Sequence, residues 1–335
     1  MDKVGFFRWN IPYKSTMMIY AIIGKHYGLD MIFFDDKGVN MENEKITGYV
    51  LRDNKFIKTT SDIPKIINNT PYKSNNRELH TFLSNKSHFM FKPFGGKMKE
   101  YRYFEKESIL KDILIPSTRI KNKKHVLYFL KQNKKAIFKP LYSDKGKGIF
   151  TLERISDDKF IYESENKNKI IYEDNFLDFY KEFIRKKGLL MSQFIEFKTK
   201  NGHPFDIRIN FEKDYRGKWC VAQRYARVGF NNKITSNLSA GGGTAKLKSF
   251  LKTEYNSSDE KKINDQLKGI IELIPDAVEK MVNFEINSIG LDLGIDRDKK
   301  IYMFEINSYP GISNALGQVA LLRTGYMRYY LDKNK

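Results

Sequence analysis

Residues 291–311 read LDLGIDRDKKIYMFEINSYPG. Leu291, Leu293 and Ile295 alternate with Asp292, Gly294 and Asp296, the period of two that marks a strand buried on one face. After a polar turn over 297–300, Tyr302, Phe304 and Ile306 alternate with Met303, Glu305 and Asn307. A turn centred between Asp298 and Lys299 pairs Ile295 with Tyr302, Leu293 with Phe304 and Leu291 with Ile306, which gives one apolar face. The same register sets Asp292 opposite Glu305 on the other face, with Asn307 two residues further on. Side chains opposed in this way stand roughly 5 Å apart at Cβ. Two carboxylates at that spacing repel and ask for a cation, and carboxylate and amide oxygens are the hard donors that Mg²⁺ takes. The segment alone leaves two readings open, a solvated outer face and a metal site.

Phe284–Ser288 repeats the five letters FEINS of Phe304–Ser308. The first copy closes a helical pattern, whereas the second runs into the turn signal Tyr309-Pro310-Gly311. Glu285 and Asn287 are therefore read as coincidence.

A chain of 335 residues exceeds one typical core, so two or three subdomains are expected. Apolar content of 41% with 14% aromatic is that of a globular chain. No run approaches the ~18 apolar residues of a membrane span, and no signal-peptide pattern stands at the start. The single cysteine, Cys220, excludes an internal disulfide and fits a reducing cytoplasm, which is the expected location. The charge of +20 permits an acidic or polymeric partner, but it is mostly scattered lysine. No zinc finger, basic zipper or RNP pattern accompanies it, so no specific nucleic acid is expected.

The early chain alternates a strand over 4–7, a helix over 15–27 and a strand over 29–34, followed by a hairpin over 46–59, which makes a small α/β unit. Residues 68–85 read as a polar linker. Helices are expected over 97–112, 123–132, 175–186 and 259–281, the last passing Pro275, with a short closing helix over 313–328. Strands are expected over 136–138, 149–152, 189–197, 205–211 and 219–227, with a hairpin over 155–175.

Three pieces carry chemistry. Lys139 closes an apolar strand and leads into a Lys/Gly-rich loop through Gly146 and Gly148, where backbone N–H groups can approach phosphate. The loop is no Walker A, because Gly-Lys-Ser/Thr does not open a helix. In 203–209, Asp206 and Arg208 share one strand face, and Arg224 and Arg227 follow on the next strand, a grouping that suits an anion. Residues 235–243 add Asn237 in a glycine-rich loop. No Ser-His-Asp or Cys-His set is visible, and the five histidines lack zinc spacing.

Taken in order, FKPLYSDKGKGIF, MSQFIEF, HPFDIRI, RYARVG, ITSNLSAGGG, LDLGID and MFEINSYPG resemble the ATP-grasp superfamily, in its YheC/YheD-like branch. The resemblance covers about residue 97 to the end, and GFF, KITGY and Ile63-Pro64 resemble that branch's N-terminal domain. It implies an α/β protein, α+β in its C-terminal part. A pre-ATP-grasp domain spans 1–95 and an ATP-grasp domain 96–335, with a lid over about 120–190, a C-terminal subdomain over 191–335 and ATP between them.

By the same resemblance, Lys139 and Lys97 contact ATP phosphates, with Lys99 a rival to Lys97. Gly146 and Gly148 close over the triphosphate, Gln193 and Phe194 form the adenine hinge, Asp206 meets the nucleotide and Asn237 the phosphate side. Arg208 and Arg227 face the acyl-phosphate and the acceptor, and Asp292, Glu305 and Asn307 hold Mg²⁺. The implied cofactors are ATP and two Mg²⁺, for which Mn²⁺ can substitute. The implied partners are a carboxylate and an amine substrate, joined as an amide through an acyl-phosphate. The alternative is a nucleotide-binding structural protein at a cell or spore surface.

Overall fold

The computed structural model describes residues 1–71, 76–107, 110–141, 148–164, 167–185, 188–229, 242–312 and 315–335. Three sheets follow one another along the chain. The first is built from β1 (Asp2–Phe7), β2 (Leu29–Phe34), β3 (Val39–Asn40), β4 (Lys45–Arg52), β5 (Lys55–Asp62), β6 (Ile66–Asn68) and β7 (His88–Phe89). β1 pairs in parallel with β2 on one side and with β6 on the other, and β6 pairs in parallel with β7.

Helix α1 (Lys14–His26) links β1 to β2, and α2 (Arg77–Lys86) links β6 to β7. They cover opposite faces. Phe6 packs with Met17 and Tyr20 of α1, while Phe7 packs with Leu83 of α2. Such a reversal of winding direction between β1 and β6 leaves a crevice at the carboxyl ends of those two strands.

The second sheet is antiparallel. Its strands are β8 (Ser117–Arg119), β9 (Lys135–Pro140), β10 (Phe150–Arg154), β11 (Lys159–Ser164), β12 (Asn168–Tyr172) and β13 (Leu189–Gln193), in the order β12-β11-β10-β9-β13-β8. Between the first and second sheets lies α3 (Lys97–Phe104). α4 (Lys123–Asn133) and α5 (Glu173–Phe179) cover one face of the second sheet, with Val126, Leu130, Phe176 and Phe179 packed on Phe138, Leu152 and Met191.

The third sheet runs β16-β15-β14-β17-β18, from β14 (Phe205–Lys213), β15 (Trp219–Val228), β16 (Gly243–Lys246), β17 (Ser288–Ile295) and β18 (Ile301–Asn307). α6 (Leu247–Glu254) and α7 (Ser257–Met281) back it. α7 starts at an Asn256 cap that accepts from the Asp259 N–H, and its stripe Ile263, Leu267, Ile270, Ile274, Val278 faces the sheet. α8 (Leu316–Lys333) carries the end of the chain back to the first sheet, where Tyr326, Met327 and Leu331 join the cluster of Val4, Phe6 and Tyr20.

The mixed α/β architecture matches expectation, and several local readings are corrected. Residues 77–86 form α2 rather than a linker, because Leu79, Phe82 and Leu83 give it an apolar edge. The helix expected over 97–112 stops at Phe104, the last buried residue before exposed Glu105, Lys106 and Glu107. The strand expected over 189–197 ends at Gln193. The closing helix is longer than expected and ends at Lys333, while residues 313–314 lie outside the described ones.

The decisive hairpin keeps its expected register only near its open end. Leu291 faces Ile306 and Asp292 faces Glu305, but a bulge then shifts Leu293 to Met303 and Ile295 to Ile301. The residues buried toward the helices are Ile301, Met303 and Ile306, and seating all three needs one extra residue between them. That residue is Phe304, which joins Glu305 on the opposite face and meets Phe197 with ring centroids 4.7 Å apart. Gly294 makes room there, since a Cβ on it would stand 2.5 Å from the Phe197 ring.

His88 ties β7 to α8 by stacking on Tyr330, with centroids 3.9 Å apart. Burial, helped by Lys92, lowers its pKa to about 4. As pH falls from about 6.5 toward 4, the unfolded chain takes a proton that the folded one refuses, so stability drops by about 2–3 kcal/mol. His88→Phe is expected to remove that part of the acid sensitivity. Urea midpoints measured between pH 7 and pH 4.5 check it, and an unchanged pH slope would refute it.

Candidate functional site

On β14, Phe205, Ile207, Ile209 and Phe211 point into the helix-backed core, so Asp206, Arg208, Asn210 and Glu212 occupy the other face. β15 places Arg227 across from Asp206, and β17 places Asp292 across from Arg208. β18 then places Glu305 across from Asp292. One row of charge thus crosses four adjacent strands on the face away from α6 and α7.

Arg208 grips both oxygens of Asp292, through Nε to Oδ1 and through Nη2 to Oδ2 at 2.8 Å. Arg227 reaches the same Oδ1 from Nη2 at 3.0 Å and donates from Nε to Asp206 Oδ1 at 2.5 Å. Burial works against charge on Asp292, but the two arginines outweigh it and hold the carboxyl below its ordinary range. Arg224 does not belong to this group. It stands across from Ile209, on the opposite face, and is exposed.

Asn307 joins the two carboxylates, its Nδ2 lying 3.3 Å from Asp292 Oδ2 and 3.3 Å from Glu305 Oε1. Glu305 is more loosely held, with Lys97 Nζ 3.7 Å from its Oε2 and its side chain 35% exposed. The demand for a cation inferred from the facing carboxylates is therefore partly met by Arg208, Arg227 and Lys97. Of the two rival lysines, Lys97 reaches the cluster, while Lys99 lies against Gly95.

Glu100, on the same helix as Lys97, is a buried carboxylate that sequence reading missed. Burial and the neighbouring Glu305 raise it to about 7 against the opposing pull of Lys97. Its only sequence signal is the i, i+3 spacing from Lys97 on an amphipathic turn.

Lys139 enters from the second sheet, paired with Leu190 in the ladder, and its Nζ lies 5.6 Å from the centre of the Phe304 ring. Burial and the nearby Lys97 lower its pKa to about 8, with Glu305 acting the other way. A lysine so placed gains its full charge when an anion arrives. Gly148 begins the return of the loop in a left-handed conformation, φ +76°, that glycine adopts without strain. Gly146 and Asn237 lie outside the described residues.

Gln193 and Phe194 sit where the chain leaves the second sheet for the third. Both N–H groups are engaged, by Pro116 O and Lys135 O, and Lys135 Nζ lies 4.8 Å from the centre of the Phe194 ring. Glu196 is tied to Lys198 and Arg297, each at 2.6 Å. The structure thus brings Lys97, Lys139, Arg208, Arg227, Asp206, Asp292, Glu305 and Asn307 together, with Gln193 and Phe194 at the adjoining crossover.

Among the described residues no group of three or more His, Cys, Asp or Glu could hold a metal. Glu305 and the Asn307 amide, turned to offer its oxygen, still fit Mg²⁺, which takes few protein oxygens and completes its shell with phosphate and water. Asp292, whose two oxygens already accept four N–H contacts, fits less directly. The far FEINS copy lies elsewhere, with Glu285 bound to Lys333 of α8.

A family model described as YheC/D like ATP-grasp matches residues 61–324. The chain is similar to the endospore coat-associated protein YheD of Bacillus subtilis (strain 168), 25% identical over 328 residues, covering 90% of this chain and 70% of YheD. Its fold is similar to that of the N5-carboxyaminoimidazole synthetase of Staphylococcus aureus complexed with ADP, with TM-score 0.54, 11% identity, and coverage of 97% and 77% of the two chains. It is also similar to D-alanyl-alanine synthetase A of Vibrio cholerae, with TM-score 0.52, 7% identity, and coverage of 98% and 99%.

Proposed function

The chain belongs to the YheC/D-like ATP-grasp family, and we propose that it is an ATP- and Mg²⁺-dependent carboxylate–amine ligase. One observation carries this reading: two lysines, two arginines and the Asp292–Glu305–Asn307 set, drawn from α3, β9, β14, β15, β17 and β18, converge on one place. The domain division follows the same reading, with a pre-ATP-grasp domain over 1–95, a lid over about 120–190 and a C-terminal subdomain over 191–335.

In the reaction, a carboxylate oxygen of the acid attacks the γ-phosphorus and ADP leaves. The amine nitrogen then attacks the acyl carbon of the acyl-phosphate, losing a proton and expelling phosphate. Lys139 and Lys97 place positive charge at the phosphates, where charge moves during transfer. Glu305 and Asn307, with Asp292 beside them, would hold Mg²⁺, which neutralises phosphate charge when bound. Arg208 and Arg227, fixed by Asp292 and Asp206, offer guanidinium edges to the acyl-phosphate without reorganising. The protein needs no covalent nucleophile, since its work is positioning.

Titration calorimetry with a non-hydrolysable ATP analogue and Mg²⁺ tests the site. Lys139→Ala is expected to weaken binding by about 10- to 100-fold, and equal affinity in the variant would refute its placement. A second reading is favoured by the coat association in YheD's name together with the +20 charge. It is a nucleotide-binding structural protein that holds a polyanion, and a coat location would then replace the cytoplasmic one. Strongly salt-dependent polyanion binding, with no ADP released in any acid–amine mixture, would decide for it.

A further inference from the structure

Arg8 immediately follows β1, and Asn68 ends β6, so the two residues stand on either side of the crevice left where the winding of the first sheet reverses. Open α/β sheets take ligands at that position. Arg8 Nη1 donates to Phe7 O at 2.7 Å and to Asn68 O at 2.8 Å, and Nη2 donates to Asn68 Oδ1 at 2.9 Å. These contacts use both Nη1 protons and one on Nη2. The Nε proton and the second Nη2 proton, which lie parallel along one edge of the guanidinium, have no acceptor among the described residues.

No Asp or Glu among the described residues pairs with Arg8. Another cation, Arg323, adds to the effect of burial in disfavouring its charge, and among the described residues Tyr309 and Tyr20 act the other way. The guanidinium rests on the Phe6 ring at 3.9 Å from the centroid, and Tyr309 stands 5.9 Å away. The residue is only partly exposed, whereas Asn68 is fully buried and its Nδ2 also lacks an acceptor among the described residues. A half-buried cation with no counter-charge among the described residues is costly in proportion to its burial, and two adjacent donor groups without acceptors ask for one anionic acceptor. Tyr309 lies two residues beyond Asn307, so the crevice adjoins the proposed metal-binding strand.

We propose that Arg8 is a substrate-binding residue, whose free Nε/Nη2 edge takes a carboxylate bidentately in the β1/β6 crevice. A planar fork of two parallel N–H groups matches a carboxylate. Asn68 acts as a positioning residue, since its backbone and side-chain oxygens fix the plane of the fork. The assignment rests on the ligase reading only for calling the bound acid a substrate.

The test uses the full chain with MgADP present and two probes, glutarate and inorganic phosphate, followed by calorimetry. Wild type is expected to bind glutarate in preference to phosphate. Arg8→Met and Arg8→Lys are each expected to weaken glutarate by at least about 10-fold, the lysine keeping the charge but not the fork, while MgADP affinity stays within about 2-fold. In [¹⁵N]arginine-labelled wild type, the Arg8 Nε–H resonance is expected to move with glutarate, which keeps the test valid if a variant fails to fold. Absence of glutarate binding, wild-type glutarate affinity in both variants, or preference for phosphate would overturn the proposal and leave Arg8 as a staple across two strand ends. Glutarate bound through Arg8 in a chain that binds no nucleotide would support this site and sink the ligase reading.

Discussion

Glu305→Gln is expected to lower acid- and amine-dependent ATP turnover by about 100- to 1,000-fold while leaving thermal stability within about 2 °C of wild type. The two halves of that expectation have separate physical origins. The carboxylate is partly exposed, and its contacts are long, 3.7 Å to Lys97 and 3.3 Å to Asn307, so the fold gains little from it. Turnover, on the proposed reading, needs its charge to hold Mg²⁺ against the triphosphate, and glutamine keeps the shape but not the charge. Asp292→Asn would be a poorer test. It would strand Arg208 and Arg227, both mostly buried, and the resulting loss of stability would mask any loss of chemistry. Steady-state ADP release and a melting curve on the same Glu305→Gln preparation check the prediction. Undiminished turnover would remove Glu305 from the site.

The row Asp206–Arg208–Asp292–Glu305–Asn307 could be read from sequence only as two separate strips. Period-two alternation fixes which side chains share a face within β14, or within β17 and β18, because that depends on local pleat alone. It does not say that Arg208 will face Asp292, 84 residues away, since that register is set by sheet order. For the same reason sequence proximity groups Arg224 with Arg227, although it points the other way. The bulge at Phe304 was illegible for a different cause. It is dictated by three apolar residues needing the helix-backed side at once, together with the space that Gly294 opens for Phe197. Helix α2 is the opposite case. Leu79, Phe82 and Leu83 stand at helical spacing, but a polar average across 68–85 concealed them. Arg8 and Arg323 carry no pattern beyond a single charge among apolar neighbours, and Glu100 none beyond its spacing from Lys97, so their roles exist only once distant strands and helices meet.

Arg323→Ala is expected to cost about 3–5 kcal/mol, the largest stability loss among the single changes proposed here. Arg323 on α8 is 1% exposed and donates from Nη2 at 2.6 Å and Nε at 3.0 Å to one oxygen of the fully buried Glu212 on β14. Its guanidinium also covers the Phe91 ring at 4.6 Å. Without it, the Ser288 hydroxyl, 3.0 Å from Oε1, is the one partner left to the Glu212 carboxylate among the described residues, where Oε2 already has none. The variant therefore carries a buried, unpaired carboxylate, and its easiest relief is a proton. Burial already pushes the Glu212 pKa up with Arg323 present, and removing the arginine removes the main opposing influence. A carboxyl whose folded pKa lies above its unfolded value binds its proton more tightly when folded. The variant is then least destabilised below the unfolded value of about 4.5 and loses further stability as pH rises through the raised folded pKa. The urea midpoint of Arg323→Ala minus that of wild type, compared at pH 5 and pH 8, isolates this effect because the His88 contribution cancels. Adding Glu212→Leu should recover most of the loss, since replacing both partners leaves no buried charge and the two changes touch the same contact. A double variant no more stable than the single one would mean that α8 is held by the arginine's packing on Phe91 rather than by the ion pair.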